Sequence, residues 1–247
     1  MPNPTPTSLH ANKKAVPKAF NAVAVSYDLA TAMSQGYQED LNRSAAALHL
    51  QGYEYVLDLC CGTGKSTKAC MQYLSTGKIT GIDNSEGMLE VARKKFSKEI
   101  SAGLADFSLQ DAMHLQLDDN TFDAVFVAYG LRNMPDYDKF IKSLYRILKP
   151  GGKLCIHDYS IKNTAWAKWY WLILGYGFVV PFCAVVSRSS IIFRYLIKSV
   201  ADFLNPVEII ALLKNNGFEN AQVIKHKSWR EPILHTFVAQ KPTPATP

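Results

Sequence analysis

Short apolar runs in the first half of this 247-residue chain end in acidic residues, and one of these runs leads into a pair of glycines. In VLDLCCGTGKST, Asp58 precedes a turn that contains Gly62 and Gly64. Glycines in such a turn let a planar ligand approach the backbone, and the helix that follows directs free N–H groups towards it. In ITGIDNSEGML, Asp83 ends the next run, where a carboxylate can accept both hydroxyls of a ribose. The two segments predict a nucleoside site.

A third acidic position, Asp111 in LQDAMHL, follows another candidate strand. Asp111 and Ala112 are placed to contact the polar edge of an adenine ring, with Met88 or Met113 as an apolar wall beside it. Any one of these acids is also explained as a solvated loop residue or a helix cap. Their order at the ends of successive strands is what indicates an adenine-containing nucleoside.

The sequence GTGKST also looks like the end of a phosphate-binding Walker loop. That motif requires G-x-x-x-x-G-K-[ST], and the residue five positions before Gly64 is Leu59 rather than glycine. A nucleoside triphosphate is therefore disfavoured as the ligand.

Alternating strand-like and helix-like segments position these residues. The runs YVLDL, ITGID, AVFVAY and KLCIHDY are separated by helical patterns, which is typical of a parallel sheet with helices on both faces. Ser85 is placed to cap the helix after ITGID, and the helix in YRILKPGGKL is expected to end at Lys149, with Pro150–Gly152 as the turn into the next strand. The helix VEIIALLKNNGF and two strands, AQVIKHKSW and LHTFVAQK, close the chain.

Composition and charge exclude several classes of protein. Hydrophobic residues make up 48% and charged residues 19% of the chain, as in ordinary globular domains rather than disordered, collagen-like or coiled-coil chains. The formal charge is +6, but the basic residues are scattered, so we predict no nucleic-acid partner, and anionic lipid headgroups fit the charge equally well. The N-terminus has neither the apolar core of a secretory signal nor the arginines of a transit peptide, so we predict neither.

Five cysteines occur, and none has C-x-x-C spacing. An odd number without that spacing predicts neither a disulfide framework nor a metal site. We therefore expect a chain of the reducing cytoplasm that holds no metal.

The length suits one domain, which we expect to span residues 13–241 between unstructured tails at 1–12 and 242–247. Within it we expect a helical N-terminal segment at 13–50, a cofactor-binding core at 51–160, an apolar cap at 161–205, and a C-terminal helix with strands at 206–241.

The segment 166–186 is unusually apolar, because its stretch WYWLILGYGFVVPFCAVV carries no charge. Its length suits a transmembrane helix, but Pro181 and two glycines interrupt it, and a spanning helix would divide one sheet between two sides of a membrane. We therefore expect a cap that is buried in the fold or lies on a bilayer surface.

Taken in order, the glycine-rich turn, the acid of the second strand and the Asp-Ala of the third resemble the class I S-adenosylmethionine-dependent methyltransferases. Further segments resemble one family of that class, the ubiquinone/menaquinone biosynthesis C-methyltransferases of the UbiE/MenG type. They are FNAVAVSYD (20–28), DNTFD (119–123), YGLRN (129–133), LYRILKPGG (144–152) and FRYL (193–196). The resemblance runs from about Phe20 to the final strand, and GLRN is its most specific motif.

The resemblance implies an α/β fold with a Rossmann-like, doubly wound, seven-stranded sheet that is mostly parallel, with the last strand antiparallel. It implies S-adenosyl-L-methionine as the cofactor and C-methylation of a prenylated quinol as the reaction. The cofactor-binding residues that the motifs and the resemblance predict are Tyr27, Asp58, Cys60, Gly62, Thr63, Gly64, Asp83, Asn84, Met88, Asp111, Ala112 and Tyr129. Tyr27 is expected to close over the cofactor, although an aromatic residue at helical spacing is also explained as core.

The same resemblance places Arg132 and Asn133 against the methyl acceptor. An arginine, whose pKa is above about 12, suits stabilisation of a phenolate better than removal of its proton, and we assign Arg132 to that role; the alternative is that it caps a helix or pairs with Asp136. His157 and Asp158, at the end of KLCIHDY, are candidate general bases. Strand alternation lets only one of them face the site, and a His157 satisfied within the sheet is the alternative.

The chain departs from the family pattern at Cys60 and Cys61, where small residues or glycine are usual, at Lys65, where an acid is common, and in its apolar cap. The cap leaves other acceptors open, namely a phospholipid headgroup amine or a secondary metabolite, which would make the protein an N- or O-methyltransferase. A non-catalytic scaffold of a quinone-synthesis complex is a further alternative, although the intact glycine turn and Arg132 would then have no chemical use.

A cap rich in Trp and Tyr suits an apolar acceptor that resides in a membrane. Basic residues flank it and favour contact with lipid headgroups, namely Lys162, Lys168, Arg188, Arg194 and Lys198. We therefore expect a cytoplasmic protein that binds the inner face of the membrane peripherally. The alternatives are a cap that seals the cofactor site and one that forms the interface of a homodimer. Tyr195 is expected to reach the acceptor side or to pack in the core.

Overall fold

Seven strands form a single sheet in the part of the chain that the computed structural model describes, which is residues 36–161, 165–179, 191–225, 230 and 232–244. The strands are β1 (Tyr55–Leu59), β2 (Lys78–Asp83), β3 (Ala105–Leu109), β4 (Phe122–Ala128), β5 (Leu148–Tyr159), β6 (Glu219–Ile224) and β7 (Leu234–Gln240). They lie in the order β3-β2-β1-β4-β5-β7-β6, and β7 pairs antiparallel with both of its neighbours while the other pairs are parallel. The predicted doubly wound, mostly parallel sheet is confirmed.

Helices cover both faces of the sheet. They are α1 (Tyr37–Ala46), α2 (Lys65–Met71), α3 (Glu86–Lys95), α4 (Ser97–Ser101), α5 (Tyr137–Ile147), α6 (Ala165–Leu174), α7 (Ile191–Asp202) and α8 (Pro206–Asn215). Buried residues of α1, α2 and α3 form one apolar cluster with Val56, and those of α5 and α8 form another with Leu57. Because successive strand residues point to opposite faces, neighbours such as these separate into two cores. The same alternation decides below which functional side chains can meet.

The ends of several helices follow from local sequence. Ser85 caps α3 by accepting a hydrogen bond from the Met88 N–H, as predicted. Asn205 and Glu208 form a capping box at the start of α8, an arrangement that satisfies two backbone donors. The expected end of α5 at Lys149 is wrong, because the helix ends at Ile147 and β5 begins at once at the next residue. Pairing with Phe122 of β4 draws Leu148 into the sheet.

The described part of the cap packs on the carboxyl end of the sheet. Trp171 of α6 is buried, and its indole Nε1 donates a hydrogen bond of 3.0 Å to the Ile197 carbonyl of α7. Its ring lies 4.7 Å from that of Tyr159 at the end of β5. In the described residues no helix has the length and apolar character that a membrane crossing requires. The predicted stretch around Pro181 lies outside the described residues, as does most of the predicted N-terminal helical segment before Gly36.

Candidate functional site

A cavity of about 630 Å³ opens at the carboxyl ends of the first four strands, where the topology of a doubly wound sheet places its ligands. Eleven of the sequence-predicted site residues line it, namely Cys60, Gly62, Thr63, Asp83, Asn84, Met88, Asp111, Ala112, Tyr129, Arg132 and Asn133. Four do not, namely Asp58, Gly64, His157 and Asp158. Tyr27 lies outside the described residues. The cavity wall therefore gathers most of the predicted residues from loops that are distant in sequence.

The glycine turn after β1 holds three residues in the left-handed region. The φ angles are 63° at Cys60, 54° at Gly62 and 83° at Gly64. A Cβ atom at Gly62 would meet no atom within 4 Å, whereas one at Gly64 would lie 2.5 Å from the Phe96 ring. Gly62 thus leaves open space for a ligand against the backbone, while Gly64 permits close packing of α2 on the core. The cysteine at position 60 costs about 1 kcal/mol or more of backbone strain relative to glycine.

Asp58, which the sequence predicts to bind the cofactor, does not line the cavity. It shares the sheet face of Val56, where the Ser66 and Thr67 hydroxyls of α2 donate hydrogen bonds of 2.8 and 2.6 Å to its Oδ2. Complete burial raises the pKa of Asp58 to about 7. Because the side chain does not line the cavity, the structure does not support direct contact with a cofactor. Asp58 instead holds the start of α2 and thereby the turn that lines the cavity.

Asp83 is fixed at the cavity wall. Its Oδ2 accepts a hydrogen bond of 2.9 Å from the Gly62 N–H, and its Oδ1 accepts one of 2.9 Å from the Ser85 N–H. Burial raises the pKa of this carboxyl to about 6, and those backbone hydrogen bonds oppose the rise. Each carboxylate oxygen has two lone pairs, so both retain capacity to accept a hydroxyl donor. The arrangement fits the two hydroxyls of a ribose.

The loop after β3 supplies the opposite end of the cavity. Asp111 accepts hydrogen bonds from the Met113 N–H and from His114. Partial burial opposes ionisation of Asp111, but these hydrogen bonds outweigh it and lower the pKa. Ala112 and Met88 are both buried and line the cavity. A polar edge between apolar walls suits a purine base, as the sequence predicts.

Arg132 pairs with Asp158 rather than with Asp136. The guanidinium Nη1 lies 2.5 Å from Asp158 Oδ1, and the Arg132 N–H donates to the other carboxylate oxygen at 3.3 Å. Arg132 is 3% and Asp158 0% exposed. Burial raises the pKa of Asp158, and Arg132 offsets only part of that rise. Asp136 instead caps α5 by accepting from the Lys139 N–H. Asp158 is thus a positioning residue for Arg132, which corrects its prediction as a general base.

His157 is enclosed by hydroxyl groups. Its Nε2 lies 3.0 Å from the Tyr129 hydroxyl, and its Nδ1 lies 2.8 Å from Ser44 Oγ and 3.0 Å from Thr236 Oγ1. The ring is completely buried and does not line the cavity. The direct general-base role predicted for His157 is therefore corrected, and the alternative of a histidine satisfied within the sheet fits. Its link to the site is Tyr129, which lines the cavity with a φ of 56°.

The cap is hydrogen-bonded to the loop that carries Arg132. The buried Tyr195 hydroxyl of α7 donates to Asn133 Oδ1 at 2.9 Å, and Asn133 Nδ2 donates to the Tyr129 carbonyl at 3.2 Å. Burial raises the pKa of Tyr195 to about 12. The Tyr37 and Tyr129 rings stack with their centroids 5.3 Å apart, and the Tyr159 ring is tilted against Tyr129 at a centroid distance of 5.4 Å. Tyr195 is therefore packed in the core, as one of the two alternatives predicts, and is also hydrogen-bonded to Asn133 of the cavity wall.

Sequence reasoning missed several residues of the wall. Tyr37, Lys65, His114 and Lys139 line the cavity. An aromatic residue after Gly36 carries no chemical signal by itself, and Lys65 was notable only as a departure from the family pattern. Among the described residues, no group of three His, Cys, Asp or Glu side chains is arranged to hold a metal ion.

Fold and cavity together define a nucleoside-binding α/β enzyme, and sequence comparison specifies its class. Residues 8–238 match the ubiE/COQ5 methyltransferase family. The chain is 34% identical over 221 residues to the demethylmenaquinone methyltransferase of Lactococcus lactis subsp. lactis (strain IL1403), covering 87% of this chain and 86% of that protein. It is 33% identical over 218 residues to the protein of the same name from Staphylococcus aureus (strain Newman), covering 86% and 88%.

Two solved structures are similar in fold. An S-adenosylmethionine-dependent methyltransferase from Aquifex aeolicus aligns with a TM-score of 0.62 at 17% identity, over 87% of this chain and 97% of that one. The [4+2]-cyclase SpnF aligns with a TM-score of 0.68 at 17% identity, over 98% and 99%. At this identity the likeness shows the fold alone. The chain belongs to the ubiE/COQ5 methyltransferase family and is an S-adenosylmethionine-dependent methyltransferase.

Proposed function

We propose that this enzyme methylates a ring carbon of a prenylated quinol, and that a demethylated naphthoquinol is its acceptor. The observation that carries the proposal is the buried Arg132 guanidinium at the cavity wall, held by Asp158 and adjoined by Asn133. The names of the curated relatives, which act on demethylmenaquinone, support the same acceptor.

The cofactor fits the cavity on structural grounds. The open space beside Gly62 admits a ligand against the backbone, and the two fixed oxygens of Asp83 suit ribose hydroxyls. The wall formed by Met88, Asp111 and Ala112 suits the base. S-adenosylmethionine supplies an electrophilic methyl group on a positively charged sulfur.

Arg132 prepares the acceptor. A quinol ring carbon becomes a good nucleophile when the neighbouring hydroxyl has lost its proton to solvent on binding, and a fixed cation nearby stabilises that anion. The ring carbon gains the methyl group as the bond between methyl and sulfur breaks, S-adenosylhomocysteine is the leaving group, and the proton of the methylated ring carbon is then lost to solvent. The guanidinium stays charged at all physiological pH values. Asp158 fixes its orientation by accepting a hydrogen bond from Nη1, and it fixes the Arg132 backbone by accepting a second one from the N–H. Since it is already oriented, little reorganisation is required when the negative charge develops.

His157 and Asp158 act through their neighbours in this proposal. His157 holds the Tyr129 hydroxyl and Asp158 holds Arg132. Tyr195 connects the cap to Asn133, so the cap and the Arg132 loop are positioned together. Such a cover would exclude water from the reacting groups, which strengthens the electrostatic stabilisation that Arg132 provides.

The test is methyl transfer from labelled S-adenosylmethionine to three acceptors in detergent: a demethylated naphthoquinol, a benzoquinol and phosphatidylethanolamine. We expect label in the naphthoquinol ring. Label in the benzoquinol alone would correct the acceptor, and label in phosphatidylethanolamine alone would show an N-methyltransferase. Absence of label from all three, in protein that binds S-adenosylhomocysteine in calorimetry, would overturn a quinol acceptor.

The proposal includes peripheral binding of α6 to an anionic lipid surface. Trp166, Trp169 and Ile173 are exposed, at 58%, 69% and 65%, and their spacing places them on one face of the helix. Trp171 on the opposite face is buried. Exposed tryptophans beside lysines are typical of helices that lie at the headgroup level.

Charge supports a lipid surface as the partner. No Asp or Glu occurs between Ser160 and Ala201, and this segment contains five basic residues. In the described residues, Lys168 and Lys198 are exposed. An apolar stripe within a positively charged segment matches anionic headgroups, each lysine near the surface contributing about 1 kcal/mol.

Vesicle sedimentation tests this part of the proposal. The protein should bind vesicles of phosphatidylcholine with phosphatidylglycerol at low salt, and the variant W166S/W169S should bind about tenfold more weakly or worse. Tyr53→Ser is the matched control, since Tyr53 is 71% exposed and is distant in sequence from the cap. Equal binding by the tryptophan variant would contradict the proposal. The proposal would also be contradicted if the wild-type protein were a homodimer and the tryptophan variant a monomer, because the apolar stripe would then be a subunit interface.

A further inference from the structure

The order of the strands gives the cavity a direction. The residues suited to the base follow β3, those suited to the ribose follow β2, and the glycine turn follows β1. These three strands are neighbours in the sheet in that order. In S-adenosylmethionine the ribose lies between the base and the amino-acid portion. With the base at β3 and the ribose at Asp83, the amino-acid portion extends towards the ends of β1 and β4.

That portion carries an α-carboxylate, for which a cation is the natural partner. The lysine and arginine side chains among the described lining residues are Lys65, Arg132 and Lys139. Lys139 lies at the base end, with its Nζ 3.3 Å from His114 Nε2. Arg132 follows β4 and is only 3% exposed, against Asp158. Lys65 is the lysine on the amino-acid side, directly after the glycine turn.

The chain holds Lys65 in place from several directions. Its carbonyl accepts a hydrogen bond of 3.1 Å from Gln38 of α1, and its ammonium lies 5.8 Å from the centre of the Tyr37 ring. The two residues that follow it, Ser66 and Thr67, are bonded to Asp58. A half-buried lysine whose backbone is fixed in this way presents its charge at a defined part of the wall.

We propose that the Lys65 ammonium binds the α-carboxylate of the cofactor. The inference rests on the cofactor class established above and does not depend on the identity of the methyl acceptor. It assigns a function to a residue of the cavity wall for which the sequence predicts none. Lys65 would favour S-adenosylmethionine and its product over adenosine thioethers that lack the carboxylate.

Calorimetry with two ligands tests the proposal without turnover. S-adenosylhomocysteine has the carboxylate, and S-adenosyl-3-thiopropylamine lacks only that group. We expect Lys65→Met to weaken binding of S-adenosylhomocysteine about tenfold and to leave the analogue within about twofold. Lys65→Arg should recover most of the loss. Lys68→Met is the matched control, because Lys68 lies on the same helix, is exposed and does not line the cavity.

The wild-type protein supplies a second test that does not depend on the folding of a variant. It should bind S-adenosylhomocysteine about tenfold more tightly than the analogue. Equal affinities, or a Lys65→Met variant that weakens both ligands alike or neither, would overturn the proposal. Failure here would leave labelling of the quinol unchanged, so the two proposals can fail separately.

Discussion

The cofactor half and the acceptor half of the cavity are built in different ways. The cofactor half, formed by the loops after β1, β2 and β3, is held by backbone donors within a loop and between neighbouring loops, such as the Ser85 N–H and the Gly62 N–H on Asp83, two and 21 residues away. The proposed acceptor half, formed by the end of β4 and the loop that carries Arg132, is held from behind by side chains of β5 and the cap that are distant in sequence. Arg132 meets Asp158 across 26 residues, and Asn133 meets Tyr195 across 62. Sequence motifs at successive strand ends predict the first half, whereas no single segment of the sequence reveals the side-chain contacts of the second.

Arg132→Lys gives the largest expected effect on the acceptor half. Lysine keeps the charge but lacks the planar fork that Asp158 orients, so kcat should fall by about 10² to 10³. The dissociation constant of S-adenosylhomocysteine should change by less than about threefold, because the substitution leaves the residues of the cofactor half unchanged. Enzyme kinetics and calorimetry on the same protein measure both quantities.

Arg146→Lys is the matched control for that change, since Arg146 of α5 forms a partly exposed pair with Asp119 and does not line the cavity. It should leave kcat unaltered. If the Arg132→Lys protein lost cofactor affinity by as large a factor as it loses kcat, the two halves of the cavity would not be independent.

Asp83→Asn addresses the cofactor half. An amide can accept at one oxygen only, and its NH₂ group would face one of the backbone donors, Gly62 N–H or Ser85 N–H, that Asp83 now accepts. We expect S-adenosylhomocysteine to bind about 100-fold more weakly. The KM for the quinol should change little. Asp106→Asn, an exposed residue of β3 that does not line the cavity, is the control; a quinol KM that rises as much as the cofactor dissociation constant would argue against separate halves.

The raised pKa of Asp58 predicts that the free energy of unfolding depends on pH. Its pKa rises from 3.8 to about 7 on folding, chiefly because burial disfavours the charged carboxylate. Between these values the folded state binds more protons than the unfolded state, so this group stabilises the fold at low pH and its contribution is lost as pH rises towards 7. From about pH 5.5 to 7 the loss is about 2 kcal/mol.

Asp58→Asn tests that prediction by chemical denaturation at several pH values. The amide does not ionise, so the difference in unfolding free energy between wild type and variant should shift by about 2 kcal/mol across the same range. A difference that does not vary with pH would mean that Asp58 is already ionised within the fold at pH 5.5.

The sequence predicts the cofactor half better than the acceptor half. The strand order, the Ser85 cap and the cavity-lining positions of Asp83 and Asp111 follow from local patterns of apolar, glycine and acidic residues. The general-base roles of His157 and Asp158 did not hold, because their partners Ser44 and Arg132 are supplied by other elements. Strand alternation correctly separates the two side chains, but it does not reveal what covers each face. For Asp58 the same alternation, applied from Val56, would have indicated the sheet face that α1, α2 and α3 cover.

The smallest expected effect concerns the connection between His157 and the acceptor half. If His157 acts by holding the Tyr129 hydroxyl, then Tyr129→Phe and His157→Leu should each lower kcat by about tenfold, because a misplaced wall residue disturbs the alignment of the reactants. The double variant should lose no more than either single variant, since both remove one interaction. Losses that multiply, to about 100-fold, would mean that His157 affects the reaction independently of Tyr129. Stability measured on the same three variants separates the cases, because a purely structural His157 would lower the free energy of unfolding while leaving kcat of the folded protein unchanged.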